Sequence, residues 1–226
     1  MSPKPGTARE LVSRVLNHPS GGLQALIDLA KGAEVEWLEL KAACYPTGGV
    51  FKSSENEADY QWHVAKAVVA LANSIGGVVL LGVHDQGELV GLEASDPKGL
   101  IKSKDRDKGL DAFKRTVITQ QVLLPPNGWT TGKQVTVKLA ARGRFERLIA
   151  LHDIPCGERS ALAILVDPVP AEFGPIVVAQ TKSGKTTEHV YVRKRGDVGE
   201  VVDLPRDDPA VWLAHEGARR RIAQEL

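Results

Sequence analysis

Residues 57–92 read EADYQWHVAKAVVALANSIGGVVLLGVHDQGELVGL, and within them a helical period gives way to a strand. Trp62, Ala65, Val69 and Ala72 recur at helical spacing, with Val64, Val68 and Leu71 widening the stripe, while Asp59, His63 and Lys66 fall elsewhere. The pattern predicts a helix from Glu57 to about Ser74. Ser54 and Glu57 are spaced as a capping box ahead of it. Gly76 is placed to stop the helix in a left-handed conformation. The apolar run from Val78 to Val83, broken only by Gly82, predicts a strand buried on both faces. His84-Asp-Gln-Gly87 makes that strand the first arm of a hairpin.

Upstream, Glu34-Val-Glu-Trp-Leu-Glu39-Leu-Lys41 alternates as a short acidic strand. Before it, residues 7–31 predict two short helices split at His18-Pro-Ser-Gly-Gly22, a lid on the core. Downstream, residues 93–109 read as a lysine-rich loop, and a helix runs from about Leu110 to Val122, stopped ahead of Pro125-Pro126. Strand-like runs follow at 135–139, 147–151, 161–166, 176–179 and 190–193, punctuated by Pro and Gly. A final amphipathic helix is expected from about Pro209 to Gln224. The fold class is therefore α+β: a single mixed or antiparallel sheet domain over residues 33–205, with a helical segment at 1–32 and a helix within 206–226.

Composition bounds the function. Apolar residues make up 42% and charged residues 25% of 226, an ordinary globular balance. The net charge of +1 declares no nucleic-acid partner in bulk, so any basic surface has to be local. Cys44 and Cys156 lie far apart without CxxC spacing, against structural zinc or a disulfide framework. No apolar run approaches the roughly 20 residues of a membrane span. The N-terminus lacks the apolar stretch of a secretory signal, so the expected location is cytoplasmic. Ser183-Gly-Lys185-Thr186 echoes the end of a phosphate loop, but its flanks read as two strands, making Gly184 a hairpin turn. No nucleotide cofactor is expected.

Three carboxylates are candidates for chemistry: Glu34, Glu39 and Asp85. Glu34 and Glu39 differ by an odd number, so they share a side only if Glu34 lies in the loop entering the strand. Gathered acids of this kind can hold Mg²⁺ or Mn²⁺ and orient water at a phosphate. Lys41 lies on the Glu39 face and could meet a phosphate or neutralise Glu39. Basic clusters occur at Lys98–Lys108, which includes Lys102 and Lys104, at Arg142–Arg147, at Arg193-Lys194-Arg195 and at Arg219–Arg221. Such clusters supply phosphate contacts that position a nucleic acid without reading its bases.

Taken together, the acidic strand, ALANSIGGVVLLGVHDQG, LVGLE and the late VYVRKRG stretch resemble the Schlafen AlbA-type domain. The resemblance implies nucleic-acid binding. Some members of that family cut RNA with three clustered carboxylates and carry a Glu-x4-Glu-x-Lys string, which Glu34, Glu39 and Lys41 fit. Their third acid occupies the first position of the turn after the Gly-Val strand end. Here that position is His84, and the acid is Asp85. The implied activity is a metal-dependent endoribonuclease on structured RNA, with Glu34, Glu39 and Asp85 holding Mg²⁺ or Mn²⁺ and Lys41 and Arg193 anchoring phosphates. The alternatives are a non-catalytic DNA- or RNA-binding module of a regulator or phage-defence system, and a protein-interaction subunit. A homodimer, or a partner protein supplying a helicase or winged-helix unit, is the expected assembly.

Overall fold

The computed structural model describes residues 8–18, 22–31, 37–44, 57–96, 99–101, 105–170, 173–193, 201–206 and 208. Its first sheet has the strand order β1-β2-β6-β5, from Leu38–Lys41, Gly77–Leu81, Arg159–Val166 and Ile149–Cys156. β1 runs parallel to β2, with Glu39 opposite Val79, and the other pairs are antiparallel. Every residue of β2 is buried. Alternation along the strands decides what each face meets. Val78 and Leu80 join Ala161, Ala163 and Ile154 against Val12, Leu26 and Ile27 of α1 (Ala8–Asn17) and α2 (Leu23–Lys31). Val79 and Leu81 turn to the opposite side, into the larger core under α3 (Glu57–Ala72).

The second sheet is antiparallel, β3-β4-β7-β8-β9, built from Trp129–Thr130, Thr136–Leu139, Val178–Lys182, Lys185–Arg193 and Val201–Pro205. The α+β class therefore stands, with the strands divided over two sheets and α3 packed against both. Trp62 marks the join: its ring centroid lies 5.0 Å from Trp129 and 5.5 Å from Tyr191. Trp37 packs instead with the α1–α2 cluster.

Backbone geometry at two turns follows from the sequence. The Gly76-Gly77 step ends α3 and enters β2 with φ of 75° and 144°. A Cβ at Gly77 would stand 2.1 Å from the Trp37 carbonyl oxygen, so only glycine lets β1 and β2 begin side by side. At the β7–β8 turn, Ser183 and Gly184 have φ of 50° and 79°, the two positive values of a tight hairpin. The phosphate-loop echo is that hairpin.

Several boundaries differ from the sequence reading. The hairpin after β2 is reduced to one bridge, Val83 to Leu89. α4 begins earlier, at Arg106, capped by Asp105 accepting from the Lys108 amide. It runs to Phe113 and continues as a wider helix over Lys114–Leu123. There Leu124 N–H donates to Thr119 O at 2.8 Å, five residues back. The Thr119 hydroxyl donates to the Lys114 carbonyl at 3.0 Å, and the β-branched run at 116–119 crowds a normal turn. Residues 142–147 form a short helix, α5, so the strand expected from 147 begins at Ile149. The expected capping box at Ser54 and the C-terminal helix at 209–224 lie outside the described residues.

Candidate functional site

Glu39 stands where the two sheets meet. On β1, Leu38 is buried in the α1–α2 cluster, so Glu39 and Lys41 take the other side of the strand, toward α3 and β8. Each carboxylate oxygen of Glu39 has a cation: Lys41 Nζ pairs with Oε1, and Arg193 Nη1 with Oε2. The Arg193 side chain is only 1% exposed. Its Nη2 donates to the Leu38 carbonyl at 2.9 Å, and its backbone amide donates to Ser74 Oγ at 2.9 Å. Among the described residues β1 is an edge strand, so this guanidinium satisfies a carbonyl that no described strand meets. Lys41 thus pairs with the Glu39 carboxylate beside it on β1.

Burial pushes the Glu39 carboxyl up, but the Lys41 ammonium and Arg193 guanidinium outweigh it and hold the group below its ordinary value. A carboxylate depressed in the folded state stabilises the protein above its unfolded pKa, and that stabilisation is lost as pH falls through the folded value. Glu39→Gln should therefore lower stability at neutral pH. The gap to wild type should close once pH drops well below 4.5, the group's ordinary value. Urea unfolding across that range checks it.

Lys66 joins the cluster from α3. Burial, then the like charge of Lys41, hold its ammonium below the usual lysine value, with Asp203 and Glu39 opposing. Asp203 on β9 sits opposite Tyr191 and also accepts from or pairs with His189, Nδ1 to Oδ1 at 2.7 Å. The other ring nitrogen of His189 lies 2.8 Å from Thr187 Oγ1. Burial and the Asp203 charge push the Tyr191 phenol above its usual range, and Gln180 donates to its oxygen. Lys41, Lys66 and Arg193 thus face Glu39 and Asp203: three cations against two carboxylates.

Beneath this cluster lies a buried staple. Asn73 Nδ2 donates to the carbonyls of Ile176 (3.0 Å) and Tyr191 (2.9 Å), and Oδ1 accepts the Ile176 amide at 2.6 Å. Together with Ser74 it ties the end of α3 to the second sheet.

The other expected site residues fall differently. Asp85 and His84 are exposed on the turn after β2, where His84 N–H donates to Glu88 O at 2.8 Å. The parallel register puts Asp85 six positions beyond Val79, the partner of Glu39. Glu34, Lys102, Lys104, Lys194 and Arg195 lie outside the described residues. Among the described residues no three His, Cys, Asp or Glu side chains gather to hold a metal. Both Glu39 oxygens already carry cations, and Glu34, the first acid of the expected set, lies outside the described residues. Sequence reasoning missed Lys66, which it left on the polar face of α3, and also Asp203, His189 and Asn73. Only the spacing of Lys66 from Trp62, one helical turn along α3, could have hinted at its direction.

The family model described as Schlafen, AlbA_2 matches residues 34–201, about three quarters of the chain. The chain belongs to that family. The match opens at Glu34, before β1, and closes at Val201, the first residue of β9. Functionally curated proteins give no match. Among solved structures, the DIP2311 protein from Corynebacterium diphtheriae is similar at 15% identity and a TM-score of 0.40, covering 87% of this chain and 28% of that one. No helix among the described residues of this Schlafen AlbA_2 domain is long and apolar enough to cross a membrane.

Proposed function

We propose that this Schlafen AlbA_2 domain binds nucleic acid through backbone phosphates at Lys41 and Lys66, with Glu39 and Arg193 as positioning residues that fix Lys41. The observation that carries this reading is the meeting of two lysines from different elements. Lys66 is half-buried and feels the charge of Lys41. Glu39 and Asp203 oppose that repulsion but leave one cation in excess, which a further anion would balance. A phosphate oxygen does so, and family membership supplies the nucleic-acid theme. The buried guanidinium of Arg193 acts through Glu39 rather than on the ligand.

Anion binding favours the ammonium form of Lys66, whose pKa is depressed in the free protein. Affinity for RNA or DNA should therefore fall as pH rises, earlier than for an ordinary lysine with its value of 10.5. Lys66→Gln should weaken binding by about ten-fold, with that alkaline fall removed. Fluorescence anisotropy with labelled RNA and DNA measures both. Unchanged affinity in Lys66→Gln, with the fold intact by circular dichroism, points to the protein-interaction alternative. The same tubes test cleavage by Glu34, Glu39 and Asp85. Products that form only with Mg²⁺ or Mn²⁺ and vanish in Glu39→Gln would make the domain an endoribonuclease.

A further inference from the structure

Phe173 is the one large apolar side chain left exposed among the described residues, at 51%. An isolated exposed aromatic needs no explanation by itself, but this one is held in place. The Arg144 guanidinium lies 4.9 Å from its ring centroid, and Arg144 Nη1 also donates to the Phe173 carbonyl at 2.7 Å. Arg144 comes from α5 (Arg142–Arg147), where Arg142 and Arg147 are exposed as well. Arg142 is itself fixed by donating to the Leu124 carbonyl at 2.6 Å. The surface therefore presents a ring with a guanidinium over it, held from a helix that carries two further exposed arginines and one acid, Glu146.

Its place in the fold adds to this. Phe173 precedes Ile176 by three residues, a reach of at most about 11 Å. Asn73 holds Ile176, and the neighbouring Ser74 accepts the Arg193 amide. The ring is thus tethered, through the Asn73-Ser74 staple, to the end of β8 that carries Arg193.

We infer that Phe173 and Arg144 form a stacking platform for an unpaired nucleobase, with Arg147, one turn along α5 from Arg144, as a phosphate contact. Aromatic rings and guanidinium planes receive unstacked bases of any sequence, whereas paired bases present no free face. The inference rests on the phosphate-binding reading and adds to it the class of ligand, single-stranded segments of RNA or DNA.

The test is anisotropy of the full chain with a labelled single-stranded oligonucleotide and with the same sequence as a duplex. Phe173→Ala should weaken single-strand binding by about ten-fold while leaving duplex binding within about two-fold. Phe173→Trp should restore it, and the added indole emission should be quenched by the single strand. Because the ring is exposed, neither change threatens the fold. Equal weakening on both ligands overturns stacking in favour of a general contact. Unchanged affinity on both, with Lys66→Gln still impaired, overturns the platform and leaves the phosphate reading standing. Wild type that binds neither ligand overturns both readings.

Discussion

Arg193→Ala should unfold the domain at markedly lower urea and temperature, by about 3–5 kcal/mol, the usual cost of removing one partner from a buried ion pair. The side chain is 1% exposed and faces Glu39 and the Leu38 carbonyl, so truncation strands both a partly buried carboxylate and an edge carbonyl. Lys41 still neutralises Glu39, which places the loss toward the lower end of that range. For a domain of this size the melting temperature should fall by about 10 °C. Arg193→Lys should recover only part, because an ammonium cannot bond Glu39 and the carbonyl as a fork does. Replacing Glu39 and Arg193 together by methionine should cost less than Arg193→Ala alone. Wild-type stability in Arg193→Ala would mean that the guanidinium does not join the sheets.

Asn73→Ala should have an effect of similar size, about 3 kcal/mol. One amide side chain serves the Ile176 amide, the Ile176 carbonyl and the Tyr191 carbonyl, all in the interior between the sheets. Each buried group left without a partner costs about 1–3 kcal/mol. Asn73→Asp should be at least as damaging, since a carboxylate cannot donate to two carbonyls. Equilibrium denaturation gives the magnitude. Faster hydrogen exchange at Ile176 would locate the break, and unchanged protection there would contradict the staple.

The elements that were legible in the sequence are those whose patterns owe little to the rest of the molecule. α3 has a full apolar stripe and a glycine stop, β2 is uniformly apolar, and the Ser183-Gly184 turn sits between two strands. α1 ends at Asn17 and α2 begins at Leu23, the two short helices that the spacing implies. The division into two sheets was not legible, because it depends on Asn73 and Arg193, whose partners lie 103 to 155 residues away. The strand expected at 147–151 occupies Ile149–Cys156, and as an edge strand it tolerates Pro155, a residue without an N–H. β9 was missed because its five residues alternate only weakly, with Val202 and Leu204 on the side opposite Asp203.

Within the site, Glu39 and Lys41 were visible as one face of a strand, and the ion pair follows from that period. The basic neighbours of Arg193 point to a phosphate contact, and its burial follows from register, since Tyr191 and Arg193 share the β8 face that meets α3. Lys66 looked like solvent-facing polarity because nothing local in α3 tells where β1 and β9 will arrive.

The most direct test of the central claim is the salt dependence of nucleic-acid affinity in wild type and in the Lys41→Gln, Lys66→Gln double variant. Each phosphate neutralised by a lysine releases condensed counterions, so the logarithmic slope of affinity against salt reports how many contacts exist. The double variant should bind more weakly across all sequences, with a slope shallower by about two. Equal slopes and equal affinities, in variants whose circular dichroism matches wild type, would contradict phosphate binding at the Lys41–Lys66 cluster.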